Sequence, residues 1–96
     1  MVTLNDIRSR RERILEIAAR HGASRLRVFG SVSRGTQTPS SDVDILVHLD
    51  EKRTLLDQIA LIHALEDLLE CKVDVVDDEA VNPRLCEGIM AQAVEL

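Results

Sequence analysis

Three aspartates, Asp42, Asp44 and Asp74, are spaced so that their carboxylates could act together. Asp42 and Asp44 lie in an alternating segment. Val43, Ile45, Val47 and Leu49 share one face of it, and Asp42, Asp44, Leu46 and His48 share the other. On a strand, both carboxylates leave the same side. Two like charges at about 4 Å repel by roughly 4 kcal/mol at an effective dielectric of about 20. Either the two side chains splay into water on an open sheet face, or a divalent cation sits between them. Hard oxygen ligands select Mg2+, which keeps waters and takes phosphate oxygens as further ligands. Asp74 stands opposite Val73 and Val75 on a later segment. If that strand pairs beside the Asp42 strand, three carboxylates converge. Such a set could hold two metals that activate a hydroxyl and stabilise a leaving pyrophosphate. Otherwise Asp74 is a solvated strand residue.

Gly30-Ser31 directly follows another short strand. Glycine permits a tight turn and a close approach of backbone to ligand. Backbone N–H groups at the start of a helical turn, with the Ser31 hydroxyl, make an anion site. Taken alone, the pair is equally a plain turn. A P-loop is excluded, because Gly35 is followed by Thr36-Gln37 where Lys-Ser/Thr is required. An EF-hand is excluded by Leu46 and Val47, which stand where an oxygen ligand and a glycine are needed. His48 is four residues beyond Asp44, about 13 Å along a strand, and reads as a surface histidine. His21 falls at a helix C-terminus, and His63 reads as partly buried helix packing.

The elements that must carry these residues are legible in outline. Thr3 starts a helix as N-cap, Leu4, Ile7, Ile14, Leu15 and Ala18 recur at helical spacing, and Gly22 ends it. Arg8, Arg10, Arg11 and Arg13 cluster on it, either as a solvated face balanced by Glu12 and Glu16 or as a docking face. Arg25 to Phe29 is a short strand, and residues 30 to 41 a Gly-, Ser-, Thr- and Pro-rich loop with room for one helical turn. Thr54 to Glu70 is the strongest helix, with a wide apolar stripe through Leu55, Ile59, Ile62, Leu65 and Leu69. Lys72 to Val76 is a third strand. Asn82-Pro83 opens a last helix through Leu85, Ile89, Met90 and Ala93. The order α, β, β, α, β, α predicts one small α/β (α+β) domain over residues 1–96. In it a short sheet carries the carboxylates on an open face and helices cover the other.

Composition bounds the function. The chain has 96 residues, a net charge of −5 and one aromatic residue, Phe29. That weighs against a protein that coats DNA or RNA, which needs a basic surface and stacking platforms. A chain this short has one modest core and no room for a separate substrate domain. No apolar run reaches membrane-spanning length, and the N-terminal residues lack a signal-peptide pattern. The expectation is a cytoplasmic protein whose Cys71 and Cys86 are reduced thiols.

Gly30-Ser31-Val32-Ser33-Arg34-Gly35 followed by Ser41-Asp42-Val43-Asp44-Ile45-Leu46-Val47 resembles the signature of the DNA polymerase β nucleotidyltransferase superfamily, in its minimal nucleotidyltransferase branch. Val73-Asp74-Val75-Val76 falls where that family has its third carboxylate, and the flanking elements extend the resemblance over essentially the whole chain. It implies a small nucleotidyltransferase fold with a mixed sheet. By the same resemblance, Gly30 and Ser31 would hold the triphosphate of ATP, and Asp42 and Asp44 would bind Mg2+, two ions in all. Asp74 would share a metal or accept the proton of the incoming hydroxyl. Ser41 would orient the Asp42 turn. Arg34 would contact phosphate or pair with an acidic neighbour. Val32 departs from the pattern, since many relatives carry a second arginine there. Proteins of this branch are paired with a helical HEPN partner, a ribonuclease toxin. The implied role is an antitoxin that transfers AMP from ATP to a tyrosine of that toxin. The alternatives are an antitoxin that acts by occlusion alone, or a transferase for a small molecule or an RNA end.

Overall fold

The computed structural model describes residues 2–96. The elements are α1 (Leu4–Ser9), α2 (Arg11–Arg20), β1 (Ala23–Phe29), α3 (Ser31–Arg34), β2 (Val43–Leu49), α4 (Leu55–Leu69), β3 (Val73–Asp77), α5 (Pro83–Gln92) and β4 (Val94–Glu95). The sheet order is β3-β2-β1-β4. β1 is antiparallel to β2 and to β4, and β2 runs parallel to β3, so the sheet is mixed. Among the described residues, no helix is long and apolar enough to cross a membrane. Both cysteines are free.

The expected first helix is two helices. In a continuous helix the Arg10 N–H would bond the Asp6 carbonyl. Instead the Ser9 hydroxyl donates to that carbonyl at 2.7 Å, and the Arg10 N–H turns to Ile7 O at 3.1 Å. The Arg10 guanidinium then reaches the Leu68 carbonyl of α4. The caps stand as read. The Thr3 hydroxyl accepts from the Asp6 N–H at 3.2 Å, and the Asn82 side chain accepts from the Arg84 N–H at 2.9 Å.

The core lies on one face of the sheet. Val43, Ile45, Val47 and Leu49 of β2 are all buried, beside Val73 and Val75 of β3. Against them pack Ile14, Ile17 and Ala18 of α2 and Leu61, Leu65 and Leu69 of α4. The face assignment carries a test. Ile45→Val removes one methylene from a fully buried side chain and is expected to cost about 0.5–1.5 kcal/mol in a denaturant titration. A loss several times larger would mean that Ile45 plays some role beyond filling this core.

The stripe on α4 is narrower than its sequence suggests. Leu55, Leu56 and Ile59 are exposed, and so is His63, which was expected to be partly buried. The buried stripe begins at Leu61. α4 also shields the edge strand β3. Gln58 donates to the Val75 carbonyl at 2.8 Å, and Glu66 accepts from the Val73 N–H at 3.3 Å. Unpaired edge groups invite strand addition, and these two side chains occupy them.

Two departures affect the carboxylate face. First, a fourth strand exists: Val94 pairs with Val28 and Glu95 with Arg27. Second, that face is open only at the aspartate end. Further along it Leu46 is fully buried, and Arg27 is only 5% exposed. The Arg27 guanidinium donates to the Arg25 carbonyl at 2.7 Å, to Met90 Sδ of α5 at 3.3 Å and to Asp78 Oδ2 at 3.1 Å. β1 also begins two residues earlier than expected. Its register shifts between Ser24 and Arg27, and Arg25 takes a φ of 55° there.

His48 is half-buried rather than a plain surface residue, and its Nδ1 donates to Asp78 Oδ1 at 3.1 Å. That hydrogen bond, with the charges of Asp78 and Glu79, holds His48 above its ordinary value of 6.5. Burial alone would raise Asp78, but the bonds from His48 and Arg27 bring it below 3.8. The His48 contribution is complete below 6.5 and fades as pH climbs through its raised value. The Asp78 contribution is complete above 3.8 and is lost as pH falls through its lowered value. Stability is therefore expected to decline as pH rises above 6.5, and His48→Gln to flatten that limb. An unchanged limb in the variant would detach it from His48.

Candidate active site

The parallel ladder between β2 and β3 places Asp44 directly beside Asp74, and the antiparallel ladder places Phe29 directly beside Asp44. Neighbouring strands are about 4.8 Å apart, so two carboxylates meet on one face, an arrangement that costs energy unless it is compensated. Asp42 lies just before β2 and is exposed, as is Asp74, whereas Asp44 is half-buried. Burial, followed by the charges of Asp74 and Asp42, raises Asp44 above the usual carboxylate value, and Arg34 partly offsets this. The three expected carboxylates are thus one electrostatic cluster with Asp44 at its centre.

Gly30 presses against that centre. It adopts φ 76° and ψ −155°, a region essentially reserved for glycine. A Cβ built there would lie 2.3 Å from Asp44 Oδ2. The missing side chain is what allows Asp44 to stand against the Gly30-Ser31 turn. α3 begins at Ser31, and the N–H groups of its first turn have no partner within the helix. Ser33 caps the turn by donating to the Gly30 carbonyl at 2.8 Å, and Gly35 ends it in the left-handed conformation at φ 71°. Unpaired N–H groups facing a carboxylate cluster suit a polyanion that arrives with cations.

Arg34 resolves one of its two expected readings. No carboxylate pairs with it among the described residues. Its Nη1 donates to Gln92 Oε1 at 2.9 Å, and its charge acts on Asp44. The Ser41 hydroxyl accepts from the Thr38 N–H at 2.8 Å, and the Ser41 N–H donates to the Thr38 carbonyl at 3.0 Å. Ser41 therefore shapes the turn that leads into Asp42. Ser41 and Asp42 also line a cavity of about 310 Å3 with Gln37 and Lys72. Gln37 Oε1 is buried without a hydrogen-bond partner among the described residues.

Among the described residues, no three His, Cys, Asp or Glu side chains close into a complete metal-ligand set. The donor chemistry still fits Mg2+, since hard carboxylate oxygens gather on one side of an open site whose repulsion Arg34 offsets only in part. Mg2+ takes one or two carboxylates and completes its shell with water and phosphate rather than with an all-protein cage. Sequence reasoning missed Gln37, Gln92, Arg27 and Asp78. None stands in a motif, and Arg27, Asp78 and Gln92 acquire their partners through tertiary contact.

Residues 11–94 match the family described as a nucleotidyltransferase domain. The chain is 36% identical over 99 residues to the protein adenylyltransferase MntA of Thermococcus cleftensis, covering 98% of this chain and 96% of that protein. A solved structure described as a minimal nucleotidyltransferase is 48% identical, with a TM-score of 0.89 over 99% of this chain and 97% of its own. A toxin–antitoxin crystal structure with AMP-PNP is 27% identical, with a TM-score of 0.76 over 88% of this chain and 69% of its own.

Proposed function

This chain belongs to the nucleotidyltransferase family, and from that premise we propose that it is a protein adenylyltransferase acting as an antitoxin, which transfers AMP from ATP to a tyrosine hydroxyl of a cognate HEPN ribonuclease toxin. The observation that carries the reading is the Asp44–Asp74 pair in register beside the Gly30-Ser31 turn. Likeness to a protein adenylyltransferase along nearly its whole length supports the reaction, and likeness to a toxin–antitoxin structure with AMP-PNP supports the nucleotide and the kind of partner.

In the proposed reaction the tyrosine oxygen forms a bond to the α-phosphorus of ATP. The bond from that phosphorus to the bridging oxygen breaks, and pyrophosphate leaves. The N–H groups of the α3 turn and the Ser31 hydroxyl hold the triphosphate. Arg34 contributes a positive charge from the end of the same turn. Asp74, exposed beside Asp44, takes the tyrosine proton or shares a metal. Magnesium, held by Asp42, Asp44 and Asp74, would neutralise the phosphates and sharpen the attacking oxygen. The exposed Leu55, Leu56 and Ile59 of α4 offer an apolar surface for the toxin.

The test is intact-mass spectrometry of the protein encoded beside this one, after incubation with this chain, ATP and Mg2+. AMP-sized additions that require Asp42 and Asp44 are expected. A stable complex with no mass change would instead favour occlusion alone. Transfer that needs no protein partner would favour a small-molecule or RNA substrate.

A further inference from the structure

We infer that Gln92 is a positioning residue for Arg34: its side-chain oxygen holds the guanidinium over the triphosphate site beside Asp44. The inference rests on the nucleotidyltransferase reading above and adds a residue that no motif contains.

Arg34 ends the short turn that begins at Gly30-Ser31, and Gly30 at the head of that turn stands against Asp44. The side chain is exposed, so an unrestrained arginine would sample many rotamers and lose that freedom at each binding event. Gln92 Oε1 accepts from Nη1 at 2.9 Å. Because the acceptor is neutral, it leaves the full positive charge, and it uses one of five N–H donors. The others remain for phosphate oxygens.

Gln92 is itself held in place. It is the last residue of α5, and two residues later the chain joins the sheet as β4, where Val94 pairs with Val28 and Glu95 with Arg27. The strand that anchors this arm is β1, which runs directly into Gly30. The arm and the phosphate turn therefore share one rigid support. α5 buries no residue of its own, so core packing does not explain where its last turn sits. That turn has two side-chain tethers to the body, Met90 Sδ to Arg27 and Gln92 to Arg34.

The test compares ATP kinetics and calorimetric ATP binding, with Mg2+, for wild type, Gln92→Ala, Gln92→Glu, Met90→Leu, Arg34→Ala and the Arg34→Ala/Gln92→Ala pair. Gln92→Ala is expected to raise KM and Kd for ATP about three- to tenfold, with kcat within about twofold and an unchanged melting temperature. Gln92→Glu keeps an oxygen acceptor but cancels the charge that the neutral amide leaves on Arg34, so it is expected to weaken ATP binding at least as much as Gln92→Ala. Met90→Leu cuts the other tether and is expected to leave them unchanged. In the Arg34→Ala background, removing Gln92 is expected to add nothing, because it acts through Arg34. Unchanged ATP affinity in Gln92→Ala overturns the inference, as does a Met90→Leu variant that mimics it or a double variant whose losses multiply. A wild type that binds ATP but transfers no AMP overturns the enzymatic reading, while weaker binding by Gln92→Ala still supports the positioning role. A wild type that binds no ATP overturns both.

Discussion

Asp44→Ala is expected to lower AMP transfer by at least about a thousandfold while leaving the protein as stable as before, or more so. The loss follows from position. Asp44 is the half-buried centre of the carboxylate cluster, flanked by Asp74 in the neighbouring strand and Asp42 two residues earlier, with Gly30 against its oxygen. A group there that neutralises developing charge contributes several kcal/mol to the barrier, and about 4 kcal/mol corresponds to a thousandfold. The stability half follows from the raised value of its carboxyl, caused first by burial and then by Asp74 and Asp42. A carboxyl that binds its proton more tightly folded than unfolded makes the protein less stable as pH rises from the ordinary value of 3.8 through the raised one, and that loss is complete at neutral pH. Removing the charge at neutral pH therefore removes a penalty. Single-turnover transfer and a thermal melt of the same preparation check both halves. Undiminished transfer would sink the assignment of Asp44, and a large drop in melting temperature would mean that the carboxylate is structural.

Gly30→Ala is expected to be nearly as damaging to transfer, by a different route. Alanine at φ 76° and ψ −155° costs about 1–3 kcal/mol of backbone strain. Its methyl group also meets Asp44 Oδ2 at 2.3 Å, so the carboxylate has to swing away. A displacement of about 1 Å at a reacting centre costs on the order of a hundredfold in rate. The expected result is a modest loss of stability by denaturant titration, with a loss of transfer of about a hundredfold or more. Adding Asp44→Ala is expected to recover part of the stability, because the clash then has no partner, and none of the transfer. A Gly30→Ala protein with near-normal transfer would show that the turn and Asp44 work independently.

Other features of the molecule connect to these two. The burial of Arg27 with Asp78 and His48 closes the far end of the carboxylate face, and α5 is tethered there through Met90. The near end stays open at Asp42 and Asp74. One sheet face thus serves two purposes, a satisfied polar cluster at one end and an acidic cluster offset only in part at the other. The difference is the counter-charge: Arg27 lies within the first cluster at 3.1 Å from Asp78, whereas Arg34 reaches the second only as a field. A buried charge with its partner present is inert, and one without invites a ligand.

What the sequence by itself determined was whatever depends on near neighbours. Alternation over Val43–Leu49 placed the aspartates opposite the core, and Thr3 and Asn82 marked helix starts through bonds to residues two or three positions away. The run from Gly30 to Asp44 carried the resemblance to the nucleotidyltransferase family, which the match over residues 11–94 bears out. The tertiary structure decided everything that depends on which strand lies beside which. Only the parallel pairing of β2 with β3 brings Asp74 to Asp44, since 29 intervening positions carry no local signal of register. β4 is two residues long and exists because β1 offers an edge. The break at Arg10 was settled by one hydroxyl and one distant carbonyl. The partner of Arg34 is 58 residues away, on a helix with no buried face to predict its position. Period and capping are properties of a segment. Pairing, burial of charge and the reach of one side chain to another are properties of the assembled sheet, where desolvation and register are set together.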